Sequence, residues 1–141
     1  MKEILVIFIG SNPSNSAFSN VPFCESTKSG KTLRDWIWKL EISMQVERYN
    51  LANKPTPRNR PLNIAEIKKA LPALENHIEF MHYKSKCNIK LVAVGKTAHK
   101  ALTLLRLPHF EMPHPSPVNR QLNDKEFIKS KLNKLSQYLQ T

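Results

Sequence analysis

Six consecutive apolar residues, Ile4-Leu5-Val6-Ile7-Phe8-Ile9, run into Gly10 near the start of the chain. An unbroken run without polar alternation reads as a strand buried in a parallel sheet, where helices cover both faces. It is too short to cross a membrane and lacks the flank and cleavage site of a signal peptide. Residues 89–94 (Ile-Lys-Leu-Val-Ala-Val) form a further strand that Gly95 ends. Strands are also expected at 45–52 and, shorter, around 109–112. Helices are expected between them. Leu33, Trp36, Ile37 and Leu40 recur at helical spacing within 31–44, with Trp36 in the core. Ile67, Leu71, Leu74 and Ile78 do so within 64–82, with Asn63 as N-cap and Pro72 as a point of kinking or splitting. A third helix follows Gly95 through Ala98, Leu102 and Leu105. Asp124 caps a last one carrying Phe127, Ile128, Leu132, Leu135 and Leu139. Strands alternating with helices predict an α/β fold. The expected architecture is one three-layer α/β/α domain over residues 1–141, built on a central parallel four-stranded sheet.

With 40% hydrophobic residues in a chain of 141, a core forms without covalent staples. The net charge of +11 points to a polyanionic partner, nucleic acid first. Cys24 and Cys87 stand alone, with no CxxC pair, so neither a metal nor a cofactor is expected. This usage fits a reducing, cytoplasmic setting. His77, His82, His99 and His109 show no metal-ligand spacing and are assigned to helix surface or core. Ser29-Gly30-Lys31-Thr32 is similar to the end of a phosphate-binding P-loop. However, Glu25 stands where that motif needs glycine, which excludes an ATPase. Ser29 or Thr32 is instead expected to start the next helix. Nothing demands more than a monomer.

Two polar loops carry the chemistry. The first is Gly10-Ser11-Asn12-Pro13-Ser14, after the first strand. Pro13 stiffens it and biases Asn12 away from helical backbone, so the amide can hold a fixed pose toward a water or a base edge. An ordinary Asx-Pro turn accounts for the same residues. The second is His114-Pro115-Ser116-Pro117-Val118-Asn119-Arg120. There a rigid backbone presents an imidazole able to donate to a developing anion, with Ser116 and Arg120 able to meet phosphates. A proline-rich surface turn with a solvated histidine fits equally well. Between the loops, residues 54–61 form an extended proline-rich stretch with Lys54, Arg58 and Arg60.

These residues resemble the uracil-DNA glycosylase superfamily, whose members carry a Gly-x-Asn/Asp-Pro motif after the first strand and a His-Pro-Ser-Pro motif after the last. Three further stretches are similar to family segments: Val21-Pro22-Phe23 with Ser29-Gly30, Tyr49-Asn50 with residues 54–60, and Val92-Ala93-Val94-Gly95-Lys96-Thr97-Ala98. The resemblance spans nearly the whole chain. It implies that Asn12 positions or polarises the attacking water and that His114 stabilises charge on the departing base. Phe23 would stack on the extruded base and Asn50 would bond its Watson–Crick edge, in a pocket shared with Gly10, Ser11 and Ser14. Ser116, Arg58 and Arg60 would meet DNA, and Val118, Asn119 and Arg120 would fill the vacated stack.

The first motif has Asn12 where the most active, uracil-restricted members have Asp. An amide is no general base, which implies weaker activation of water. The single-strand-selective and mismatch-directed members share this Asn. Ser14 stands where the strictest members place a bulky aromatic, which implies room for a C5 substituent. The chain lacks the cysteines of iron–sulfur members and the extra N-terminal helices of larger relatives. The function so implied is a monofunctional DNA glycosylase that hydrolyses the N-glycosidic bond of uracil or a C5-modified pyrimidine flipped from single- or double-stranded DNA. The alternative is a DNA-binding module on the same fold with little or no catalysis. An enzyme of free nucleosides needs no such basic excess.

Overall fold

The computed structural model describes residues 3–13, 20–116 and 119–141. Four strands, β1 (Ile4–Gly10), β2 (Gln45–Asn50), β3 (Asn88–Val94) and β4 (Phe110–Met112), form one sheet in the order β2-β1-β3-β4. All three pairings are parallel. Four helices accompany them: α1 (Lys28–Leu40), α2 (Ile64–Ser85), α3 (Lys96–Leu104) and α4 (Lys125–Leu139). Single 3₁₀ turns lie at Pro57–Asn59 and Arg120–Asn123.

The β1 run has its expected consequence. Its side chains alternate between two apolar layers, so neither face tolerates a polar residue. Leu5, Ile7 and Ile9, with Leu91 and Ala93 of β3, pack against Ile67, Leu74 and Ile78 of α2 and Ala98, Ala101 and Leu102 of α3. Val6 and Phe8, with Val92, Val94 and Met112, pack against Leu33, Trp36 and Leu40 of α1 and Leu135 and Leu139 of α4. This is the three-layer α/β/α arrangement with a parallel four-stranded sheet. Trp36 is buried as expected, whereas Trp38 on the same helix is 85% exposed.

Local signals set most boundaries. Asn63 caps α2 in a reciprocal box with Glu66, and Asp124 Oδ1 accepts from the Phe127 amide at 3.1 Å. Two expectations are corrected. α2 does not split at Pro72: the proline sits on the exposed face while Leu74 and Ile78 stay buried, and the helix runs on to Ser85. The cap of α1 is Thr27, not Ser29 or Thr32. Thr27 has extended backbone, and its Oγ1 accepts from the Gly30 amide at 3.1 Å, so the helix starts at Lys28 and stops at left-handed Glu41. Among the described residues, no helix is long and apolar enough to cross a membrane.

Chain order turns the sheet at β1. The chain passes from β1 outward to β2, then returns across it to β3 and β4. The loops leaving β1 and β3 therefore diverge, and a crevice opens at the carboxyl ends of these strands.

Candidate active site

At the β1–β2 edge, the parallel register sets Gly10 beside Asn50. Strand-like bonding continues past both ends: the Leu51 amide donates to Gly10 O at 3.1 Å, and the Ala52 amide to Ser11 O at 2.9 Å. Phe23, with left-handed backbone (φ 51°), closes over this corner. A Cβ on residue 10 would lie 2.5 Å from Phe23 Cζ and 2.9 Å from Asn50 Oδ1, so any larger residue must displace the ring or the amide. Asn50 is 8% exposed. Its Nδ2 has no hydrogen-bond partner among the described residues. An unmet buried donor of this kind costs about 1–3 kcal/mol. Residues placed far apart in sequence thus form one corner: a glycine floor, an aromatic ring and an unsatisfied amide.

Next to this corner, a cleft of about 740 Å³ opens at the ends of β1, β3 and β4. Ser11 and Asn12 form one wall, and Gly95, Lys96 and Thr97 the base. Pro113, His114 and Ser116 form the opposite wall, and Asn59, Arg60 and Pro61 a lip. Gly10, Phe23 and Asn50 adjoin this cleft rather than line it. Asn12 is held at both ends of its amide. Ser11 Oγ donates to Asn12 Oδ1 at 2.8 Å, and Asn12 Nδ2 donates to Thr56 Oγ1 at 3.2 Å. Thr56 is buried, and its hydroxyl donates to Arg60 O at 2.5 Å. Sequence reasoning assigned no role to Thr56, because nothing distinguishes a threonine within a proline-rich stretch until the chain folds back on Asn12.

His114 is fixed differently. The Ser116 amide donates to its Nδ1 at 3.1 Å. In the neutral ring the proton therefore sits on Nε2. Burial pushes the His114 pKa below its ordinary value of 6.5, which favours that neutral form. Gly95 lies against the ring with φ 94°, and a Cβ there would come within 3.1 Å of His114 Cδ2. Asn119 braces the loop: its Nδ2 donates to His114 O at 2.9 Å and its Oδ1 accepts from the Gln121 amide at 3.1 Å. Its side chain is thus turned inward in this arrangement.

Of the basic residues, Arg60 reaches the cleft lip but is paired with Glu66 through two bonds of 2.7 and 3.1 Å. The guanidinium, helped by the Asn63 amide, holds the Glu66 carboxyl down to about 2. Arg58, with left-handed backbone, and Arg120 are exposed on the two 3₁₀ turns and do not line the cleft. Ser14 and Val118 lie outside the described residues. His77 pairs with Glu47 and stacks on Tyr49, while His99 bonds His109, which lies in the loop before β4. Among the described residues no three His, Cys, Asp or Glu side chains are grouped to hold a metal ion.

The family model of the uracil DNA glycosylase superfamily matches residues 2–138. The chain belongs to this superfamily. A comparison with curated proteins found no match. Membership of the uracil DNA glycosylase superfamily carries a DNA glycosylase-like function with DNA as partner. A glycosylase works on a base taken out of the stack and held in a pocket. In this superfamily member, the two sequence motifs supply facing walls of one cleft, and the β1–β2 corner sits beside them.

Proposed function

We propose that the protein is a monofunctional DNA glycosylase that removes uracil or a C5-modified pyrimidine from DNA by hydrolysis and leaves an abasic site. One observation carries this reading: Asn12 and His114 line a common cleft, and the Ser116 amide donates to His114 Nδ1, which leaves Nε2 to carry the proton of the neutral ring. Breaking the bond between C1′ and the base leaves the electron pair on the base, where negative charge develops on its carbonyl oxygen. A fixed neutral N–H donates to that charge without itself changing protonation. Depression of the His114 pKa by burial keeps the ring in that form.

Asn12 Oδ1 accepts from the attacking water and aims its oxygen at C1′. An amide does not remove the proton, so its contribution is orientation. The water oxygen bonds C1′, and the departing base takes up the proton that the water loses. Asn50 Nδ2, without a partner among the described residues, supplies a donor for the base edge, with the Phe23 ring as its stacking surface. Ser116 and the basic excess of the chain meet phosphates, offsetting the few kcal/mol that unstacking costs.

The test is base release from labelled oligonucleotides carrying uracil, 5-hydroxymethyluracil, hypoxanthine, a thymine–guanine mismatch or a modified cytosine, in single- and double-stranded form. Alkali reveals abasic sites. Release is expected from a pyrimidine substrate, with loss in Asn12→Ala and His114→Ala while DNA binding persists. Unchanged release in both variants refutes the mechanism, and silence across all bases refutes the activity on them.

A further inference from the structure

A second cavity, of about 690 Å³, lies between α1 and α4. Leu122, Ile128 and Leu132, all half-buried, give it an apolar floor, with the buried Trp36 beneath them. Lys39, Lys125 and Lys129, all exposed, stand around it, and among the described residues no carboxylate lines it. Its position follows from α4, which is a shared wall. Phe127 and Lys131 face the cleft, whereas Ile128, Lys129 and Leu132 face the groove. The 3₁₀ turn before α4 divides in the same way: Gln121 lines the cleft and Leu122 the groove. A strand leaving the cleft thus has only one short turn and one helix to cross before reaching a second basic surface.

We propose that this groove binds single-stranded DNA flanking the target nucleotide, with phosphates on the three lysines and bases against the apolar floor. Lys125 and Lys129 are four residues apart on one helix, about 6 Å along its axis, which suits neighbouring phosphates of an extended strand. Positively charged grooves recur where single strands bind, and an unstacked base offers a flat face for apolar contact that a duplex keeps inside. A duplex is stiff and keeps its bases inside, so it does not seat its backbone along the groove and meets fewer of the three lysines. The groove therefore gives the enzyme a preference for single-stranded flanks. The proposal rests on the glycosylase reading only for the place of the target nucleotide.

The experiment is anisotropy titration with labelled oligonucleotides of ordinary bases only, single- and double-stranded, over a range of salt. The groove variant Lys39→Gln/Lys125→Gln/Lys129→Gln is compared with a charge-matched control, Lys84→Gln/Lys86→Gln/Lys100→Gln, whose exposed lysines lie on α2, just after it and on α3, across the sheet. The groove variant should lose about tenfold or more in single-strand affinity, and its log–log salt slope should fall by about 2, at roughly 0.7 per phosphate contact. Duplex affinity should fall less, the control should change little, and arginine at the same three positions should restore the slope. Equal losses in groove variant and control, or equal losses for single strand and duplex, overturn the proposal. Unchanged binding in the groove variant also overturns it. Because these probes contain no base to excise, absence of glycosylase activity does not produce any of these results.

Discussion

The two ends of the crevice are built on opposite principles. At the β1–β2 corner, Asn50 is buried with its amide nitrogen lacking a partner among the described residues, beneath a phenylalanine with left-handed backbone. At the β4 end, the chain bonds to itself: Ser116 to the His114 ring, Asn119 to the His114 carbonyl and to Gln121. An unmet donor costs stability in the free protein and is repaired only when a ligand arrives. A braced ring costs nothing further at the moment of reaction. The first arrangement suits recognition of a base, the second suits chemistry on it.

That division can be broken experimentally. His114→Ala should have the largest effect: a drop in kcat for base release of about 10²–10³-fold, the loss seen when one such donor is removed, with DNA affinity little changed. Equal losses in kcat and affinity would move His114 to the recognition side. Next come the two glycines. Gly10→Ala forces a Cβ to within 2.5 Å of Phe23 Cζ, and Gly95→Ala meets His114 at 3.1 Å from a φ of 94°. Each should destabilise the fold by about 1–3 kcal/mol in chemical denaturation. If the division holds, Gly10→Ala should raise KM more than it lowers kcat, and Gly95→Ala should do the reverse.

Asn50→Leu sharpens the comparison, because its two effects have opposite signs. Removing an unsatisfied buried amide should stabilise the free protein by about 1 kcal/mol, a rise of roughly 4 °C in Tm, while base release is lost. A fall in Tm would mean that the amide is satisfied in the free protein.

The smallest effect is in pH dependence. The folded pKa of His114 lies below the 6.5 of the unfolded chain because burial disfavours the charged ring. The stability tied to its neutral form is therefore complete above 6.5 and is lost as pH falls through the folded value. Base release should follow the same limb, since a second proton on Nδ1 removes the acceptor of the Ser116 amide. The kcat/KM profile should stay flat down to 6.5 and fall only below it. A fall that begins above 6.5 contradicts a depressed pKa.

Much of this fold was legible because its signals are local or periodic. The β1 run announces a strand covered on both faces, Asn63 and Asp124 announce helix starts, and the alternation of strands and helices announces a parallel sheet. Pro72 does not end α2, because the burial of Ile67 before it and of Leu74 and Ile78 after it holds the helix together despite the lost backbone bond. Thr27 escaped notice because a threonine caps a helix only if its backbone is extended at that point. In the site, Asn12 and His114 stood out through their proline-stiffened motifs. Their supports did not: Thr56 reaches Asn12 across 44 residues of chain, and the inward turn of Asn119 is decided by the path of its own loop.

The sequence by itself determined the secondary elements, the two apolar layers and the two motif loops, because apolar periodicity, caps and prolines act within a few residues. Only the tertiary structure decided that Gly10, Phe23 and Asn50 share a corner and that Asn12 and His114 share a cleft. It also decided that α4 separates that cleft from a basic groove. These contacts follow from strand order and parallel register, which depend on burying both faces of the sheet at once and so are written in no single segment of the chain.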